Sequence, residues 1–140
     1  MALGIAVLVS NAVAAGWGAV GWVRKDARAS IAFWPLLRVA QATVVVQAVV
    51  GFVLLARGDS APDGLHAAYG IAPLVISLVS EGMRAGVAQR ELDEVDDLEA
   101  LERREQIAVA RRVALGEMAV MTVGTLLILT LALRAYQTGG

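Results

Sequence analysis

Four long stretches of this chain carry no Asp, Glu, Lys or Arg, and this feature limits the fold more than any other. They are residues 2–23, 39–56, 65–80 and 118–133. The hydrocarbon core of a bilayer is about 30 Å thick, so a helix that crosses it needs about 20 apolar residues. We therefore predict four membrane spans, at about residues 2–23, 32–56, 65–87 and 113–134.

The predicted fold class is all-α, an integral membrane four-helix bundle in which residues 1–140 form a single transmembrane domain. The composition agrees, with 58% hydrophobic and 18% charged residues. Soluble domains have roughly 45–50% apolar and about 25% charged residues. Residues 88–112 are rich in charge. We expect the third and fourth helices to extend into this segment as a cytoplasmic helical hairpin.

Local signals indicate where two helices begin. Pro35 is expected in the first turn of the second helix, where a missing N–H has no cost. Asp96 is expected to cap the fourth helix, with Glu99 three residues later as its capping-box partner. That helix would then run from about Asp97 to Tyr136.

Basic residues set the predicted orientation. The first and third connections, with the helix ends beside them, carry most of them: Arg24, Lys25, Arg28, Arg84, Arg90, Arg103, Arg104, Arg111 and Arg112. The second connection has only Arg57, and the C-terminal segment follows Arg134. Positively charged loops stay in the cytoplasm, so both termini are predicted to lie outside.

The segment "GWGAVG" at residues 16–21 has the G-x-G-x-x-G spelling of a dinucleotide-binding loop. Such a loop follows a strand and precedes a helix, and an acidic residue lies about 20 positions further on. Here the segment lies inside an uncharged run of helical length, and Gln41 occupies the position of the acid. The segment is therefore interpreted as part of a membrane helix.

The same helix carries a stripe of small residues on one side. Its members are Gly4, Asn11, Ala14, Ala15, Gly18 and Gly21. Small residues let membrane helices approach closely, and a buried Asn can donate a hydrogen bond across the contact. Val7 interrupts the stripe, so the closest approach is expected between Asn11 and Gly21. The sequence leaves open whether the stripe faces its own bundle or another subunit.

Ionisable residues inside the spans form the predicted polar cluster. Arg38, Glu81 and Glu117 are expected at similar depth, where an unpaired charge costs about 2.5–3.5 kcal/mol or more. The buried cluster comprises Arg38, Gln41, Glu81, Arg84 and Glu117. One interpretation is an ion-paired core that fixes the helix register. The other is a proton or cation path that runs along the third helix from His66.

His66 and Tyr69 form a polar pair predicted at the outer face. A single His cannot supply both axial ligands of a haem, and the chain has no Cys. We therefore expect no cofactor, no metal site, no catalytic residue and no enzymatic activity. The net charge of −1 gives no sign of a nucleic-acid partner.

The segments "FWPLLRVAQATVVVQAVVG", "LHAAYGIAPLVISLVSEGMR" and "GEMAVMTVGTLLILTLALRA" resemble an uncharacterised family of small bacterial four-helix integral membrane proteins. The resemblance covers most of the chain and implies the bacterial cytoplasmic (inner) membrane. No activity is established for that family, so no site residue follows from it. Small multidrug transporters also have four spans, but their membrane Glu lies in the first helix, where this chain has Asn11.

Three functions are compatible with these features. The favoured one is an accessory or assembly subunit of a larger membrane protein complex, with energy metabolism as a candidate setting. Its partners would be the lipid bilayer and other membrane subunits, or further copies of itself as a homo-oligomer. The alternatives are a small oligomeric proton or cation transporter that uses the Arg/Glu cluster, and a redox or quinone-binding subunit that uses His66.

Overall fold

The computed structural model of the protein describes residues 2–58 and 64–138, and within them the side chains of residues 2–58 and 68–137. These ranges form an all-α four-helix bundle without strands. The helices are α1 (Ala2–Val23), α2 (Ala29–Ala56), α3 (Gly64–Asp93) and α4 (Arg103–Thr138). Each helix is long and apolar enough to cross a membrane, as the uncharged stretches predict.

Helix α1 covers the first predicted span, whereas the other three helices extend beyond theirs. At 1.5 Å per residue, the 36 residues of α4 are about 54 Å long, which exceeds the bilayer core by about 24 Å. Part of α4 therefore continues past the apolar region, together with the end of α3.

The first connection is a tight helix ending. Lys25 adopts a left-handed conformation with φ 53°. The N–H of Lys25 donates to the carbonyl of Trp22 at 3.0 Å, and the N–H of Asp26 donates to the carbonyl of Gly21 at 2.9 Å. These two bonds define a Schellman motif, in which Gly is usual at the position of Lys25. The motif ends α1 and turns the chain towards α2 within a few residues.

Because this turn is so short, α2 begins earlier than predicted. Its first residue is Ala29, and Pro35 lies inside the helix rather than in its first turn. The start is held by other side chains: Asp26 Oδ1 accepts from the N–H of Arg28 at 3.0 Å, and Ser30 Oγ donates to Ala27 at 2.6 Å. The prediction for Pro35 was wrong because the helix begins six residues before it.

The start of α4 also differs from the prediction, since α4 begins at Arg103 instead of near Asp97. Asp97 Oδ1 accepts from the N–H groups of Glu99 and Ala100 at 3.0 and 3.3 Å. Such local bonds hold a turn in place of a helix. The N–H of Glu102 donates to Glu105 Oε2 at 3.3 Å, which is half of a capping box. The expected cap at Asp96 and Glu99 is therefore not the one used.

The core lies mainly among α1, α2 and α4. Helix α1 packs against α2 and α4, and α4 packs against α3, whereas α2 and α3 touch each other only sparsely. One cluster of buried residues joins Phe33 and Leu37 of α2 to Met118 and Met121 of α4. Helix association in lipid depends on such packing rather than on the hydrophobic effect. The sparse α2–α3 contact, called here the α2–α3 seam, is where polar side chains meet.

Candidate functional site

Glu81 of α3 is the centre of a network of polar side chains at the α2–α3 seam. Arg38 Nη1 of α2 donates to Glu81 Oε1 at 2.6 Å, and Gln41 Nε2 donates to the same oxygen at 2.8 Å. Arg38 Nη1 also donates to Gln41 Oε1 at 2.6 Å. Arg84 Nε donates to the other carboxylate oxygen of Glu81 at 2.7 Å. Both oxygens of Glu81 therefore accept charge-assisted hydrogen bonds.

Arg84 extends the network to the fourth helix. Its Nη1 donates to Glu117 Oε1 at 2.8 Å. Its guanidinium carbon also lies 5.4 Å from the ring centroid of Trp34, which is the geometry of a cation–π contact. One arginine thus connects α2, α3 and α4. Arg38, Gln41, Glu81, Arg84 and Glu117 form one network, called here the charge network.

The sequence predicts the members of the charge network but not which of them pair. Arg38 pairs with Glu81, and Glu117 pairs with Arg84. Helical spacing explains why the residues can meet: Trp34, Arg38 and Gln41 follow one another at four and three residues along α2. The contact of Trp34 with Arg84 was missed in the sequence, although Trp34 lies one turn from Arg38 on the same face.

The charge network is less buried than predicted. The exposed fraction is 55% for the Arg38 side chain, but 26% for Glu81 and 17% for Glu117. The cause is the α2–α3 seam, because two helices that barely touch cannot cover the side chains between them. Two cations and two anions leave the network with no formal net charge. Such an arrangement can hold three helices in register without an isolated charge in the membrane.

The stripe of small residues faces the protein's own bundle over most of its length. Asn11, Ala14, Ala15, Gly18 and Gly21 are all buried. A Cβ at Gly18 would meet Thr122 and would lie 2.6 Å from Phe33 Cε2. A Cβ at Gly21 would lie 2.6 Å from Ala29 Cβ and 3.0 Å from Met118 Cε. These glycines therefore allow α2 and α4 to approach α1 closely.

Two details of the stripe differ from the prediction. Gly4 is exposed and has open space where a Cβ would be, so it takes no part in the contact. Val7, which interrupts the stripe, is 2% exposed and lies on the same buried face. Asn11 Nδ2 donates to the carbonyl of Val7 at 2.9 Å, so this bond lies within α1 rather than across to a neighbour. The closest contacts, at Gly18 and Gly21, lie in the half of the stripe where the sequence predicts them.

The segment "GWGAVG" lies entirely within α1, which ends at Val23. Gly16 has nothing within 4 Å of an added Cβ, whereas Gly18 and Gly21 face inward. The spacing of these glycines therefore reflects helix packing, and the segment has neither the preceding strand nor the loop that nucleotide binding requires.

A second close approach, between α3 and α4, was not predicted. A Cβ at Gly124 would meet the side chain of Ser80, and a Cβ at Gly116 would lie 2.7 Å from Val87 Cγ1. The signal that could have shown it is the pair of glycines in "GEMAVMTVG", which lie on α4 about two turns apart. These contacts position Glu117 beside Arg84.

A small cavity adjoins the charge network. Its volume is about 10 Å³, which is roughly the space of one water molecule. All four helices contribute to its wall through Asn11, Gln41, Ser77, Thr125 and their neighbours. The wall atoms that face the cavity are apolar. Gln41 belongs both to this wall and to the charge network.

Only one member of the polar pair predicted at the outer face, Tyr69, has a described side chain. The side chain of His66 lies outside the described residues, and Tyr69 is half-buried in α3. The predictions that depend on His66 therefore stay predictions.

No family model matches the chain, and no curated protein or solved structure is significantly similar to it. The resemblance to small bacterial four-helix membrane proteins thus remains a prediction from the quoted segments, and the function has to be argued from the chain itself.

Proposed function

We propose that this protein is an accessory or assembly subunit of a larger membrane protein complex and that it acts by helix packing. The proposal places it in the inner membrane of a bacterium, with both termini outside. Four helices that are apolar enough to span a membrane support the location. The concentration of Arg and Lys in the first connection and on the helix ends beside the third supports the orientation.

The observation that carries the proposal is the extension formed by the end of α3, the third connection and the start of α4. This extension is highly charged, yet it exposes Leu92 (46%), Leu98 (41%) and Ile107 (60%). The three lie beyond the uncharged run of α3 and before that of α4, so lipid tails do not cover them. A contiguous patch of exposed apolar side chains marks a surface that binds another protein, whereas single ones are ordinary. The proposal is that these three side chains form one such patch.

The test is affinity purification of the tagged chain in mild detergent from the host, followed by identification of the proteins that accompany it. The double variant Leu98→Ser and Ile107→Ser should lose the partner while its thermal unfolding stays close to wild type. The matched control is Glu99→Ser, which alters an exposed residue of the same extension without removing apolar surface and should keep the partner. A wild-type chain that purifies without any other protein would contradict the proposal.

The charge network supports a second candidate, a small oligomeric proton or cation transporter. It places two carboxylates within the candidate membrane spans, and its member Gln41 also lines the small cavity bounded by all four helices. Flux across liposomes separates the two candidates. A transporter should lose flux in a folded Glu81→Gln variant, whereas a packing subunit has no flux to lose.

The redox or quinone hypothesis depends on His66, and nothing in the described residues favours it.

A further inference from the structure

The first and third connections lie at the same end of the bundle. The arginines and lysine near that end fall into two groups, those that form a salt bridge within the chain and those that do not. Arg38, Arg84 and Arg112 each form a salt bridge with a glutamate of the chain. A second group lacks any salt bridge to a carboxylate among the described residues and includes Arg24, Lys25, Arg28 and Arg111. An anion from outside the chain can therefore pair with these exposed side chains.

These four residues lie together although Arg111 is far from the others in sequence. Arg111 Nη2 of α4 donates to the carbonyl of Lys25 in the first connection at 2.8 Å. The Schellman motif holds that connection in one shape, and Asp26 is engaged by the N–H of Arg28. We call Arg24, Lys25, Arg28 and Arg111 the basic corner. With Asp26 included, its formal net charge is +3.

Two tryptophans locate the basic corner at the edge of the bilayer. Trp22 is 45% exposed and immediately precedes the connection, and Trp17 is 46% exposed. Trp17 Nε1 donates to the carbonyl of Ala29 at 2.9 Å, which ties the ring to the start of α2. Tryptophan side chains of membrane proteins concentrate at the level of the lipid headgroups. The basic corner therefore lies where phosphate groups of lipids are found.

We infer that the basic corner is a binding site for the headgroup of an anionic phospholipid. The guanidinium of Arg111 has five N–H donors, and its contact with Lys25 uses one, so the others can bind phosphate oxygens. The cations of Arg24, Lys25 and Arg28 are exposed on the same connection. A lipid fits better than a free anion because its acyl chains extend along the exposed faces of α1 and α2, where the tryptophan rings lie.

The test is binding of dioleoylphosphatidylglycerol and dioleoylphosphatidylcholine to the purified full-length chain in neutral detergent, measured by native mass spectrometry. Wild-type protein should bind the anionic lipid at least tenfold more tightly than the zwitterionic one. Basic residues near a membrane surface each strengthen the attraction to anionic lipid by a factor of about five. The double variant Arg28→Gln and Arg111→Gln should therefore weaken binding of phosphatidylglycerol by about 25-fold.

Arg111→Gln alone should weaken binding about fivefold. Arg112→Gln is its matched control, because it removes an equal charge from the next position of α4, where the arginine already pairs with Glu91. It should leave binding within about twofold of wild type. Arg111→Lys should keep most of the affinity, and the unfolding temperature in lipid-free detergent checks that each variant is folded.

Equal affinity for the two lipids, or an equal loss in the Arg111 and Arg112 variants, would overturn the inference. Displacement of phosphatidylglycerol by an equal concentration of inorganic phosphate would show a site for free anions instead. Displacement by soluble polyglutamate at an equal concentration would show a site for an acidic protein segment. Either result would overturn the assignment to lipid.

Discussion

At the scale of single residues, Arg84 contributes more to the charge network than Arg38. Arg84 binds Glu81 and Glu117 and lies against Trp34. Arg38 binds one of the two acids, and more than half of its side chain is exposed. Without Arg38, Glu81 still accepts hydrogen bonds from Gln41 and Arg84. The two arginines should therefore differ in their effects when replaced.

Arg84→Leu should lower the free energy of unfolding by about 3–5 kcal/mol, because it leaves Glu117 without its cation and Glu81 with Arg38 alone. Arg38→Leu should lower it by about 1.5–3 kcal/mol, the range for a hydrogen bond to a charged group. Thermal or denaturant unfolding in detergent measures both. An Arg38 variant that is less stable than the Arg84 variant would contradict this ranking.

Lys25→Gly should raise the free energy of unfolding by about 0.5–1 kcal/mol. Lys25 has a left-handed backbone conformation, which is strained for a residue with a Cβ and free of strain for Gly. The measurement belongs in neutral detergent without anionic lipid, so that loss of the charge does not enter. An unchanged or lower stability would mean that the αL strain at Lys25 is offset by contacts of its side chain.

At the scale of helices, the close contacts of α1 depend on two glycines. Gly18→Ala should lower the free energy of unfolding by about 1–3 kcal/mol, because the new methyl group would overlap Thr122 and Phe33. Gly16→Ala is the control, because Gly16 lies in the same segment "GWGAVG" of α1. It has open space and should be neutral or should stabilise α1 by up to about 1 kcal/mol, the advantage of Ala over Gly in a helix. Equal effects at the two positions would show that α1 is not packed as described.

The sequence predicts the helices well and their ends less well. Charge-free runs identify all four helices, because only apolar residues suit the bilayer core. The ends at Ala29 and Arg103 were missed because they depend on hydrogen bonds of Asp26 and Asp97, and alternative caps such as Asp96 look equally good in sequence. Helix faces could be assigned from spacing, which brought the five members of the charge network together. The pairing of each arginine with its glutamate could not be predicted, because it depends on which helices pack side by side.

At the scale of the whole molecule, the orientation is open to a direct test. The chain has no Cys, so single cysteines can be introduced at Glu94 in the third connection and at Gln137 near the end of α4. A membrane-impermeant thiol reagent added to intact cells should label Gln137→Cys and leave Glu94→Cys unlabelled. Permeabilised cells, in which both variants should react, are the control. The reverse pattern would place both termini inside.

The central claim is that the four charges of the network act as one neutral structural unit that joins α2, α3 and α4. The most direct test compares Arg84→Leu with a variant that removes all four charges, Arg38→Leu, Glu81→Gln, Arg84→Leu and Glu117→Gln. Replacing a whole buried ion network by neutral residues is often tolerated, whereas removing one member leaves a charge without its partner. The unfolding temperature in detergent should therefore fall for the single variant and return most of the way to wild type for the fourfold variant. A fourfold variant as unstable as Arg84→Leu, or less stable, would contradict the claim.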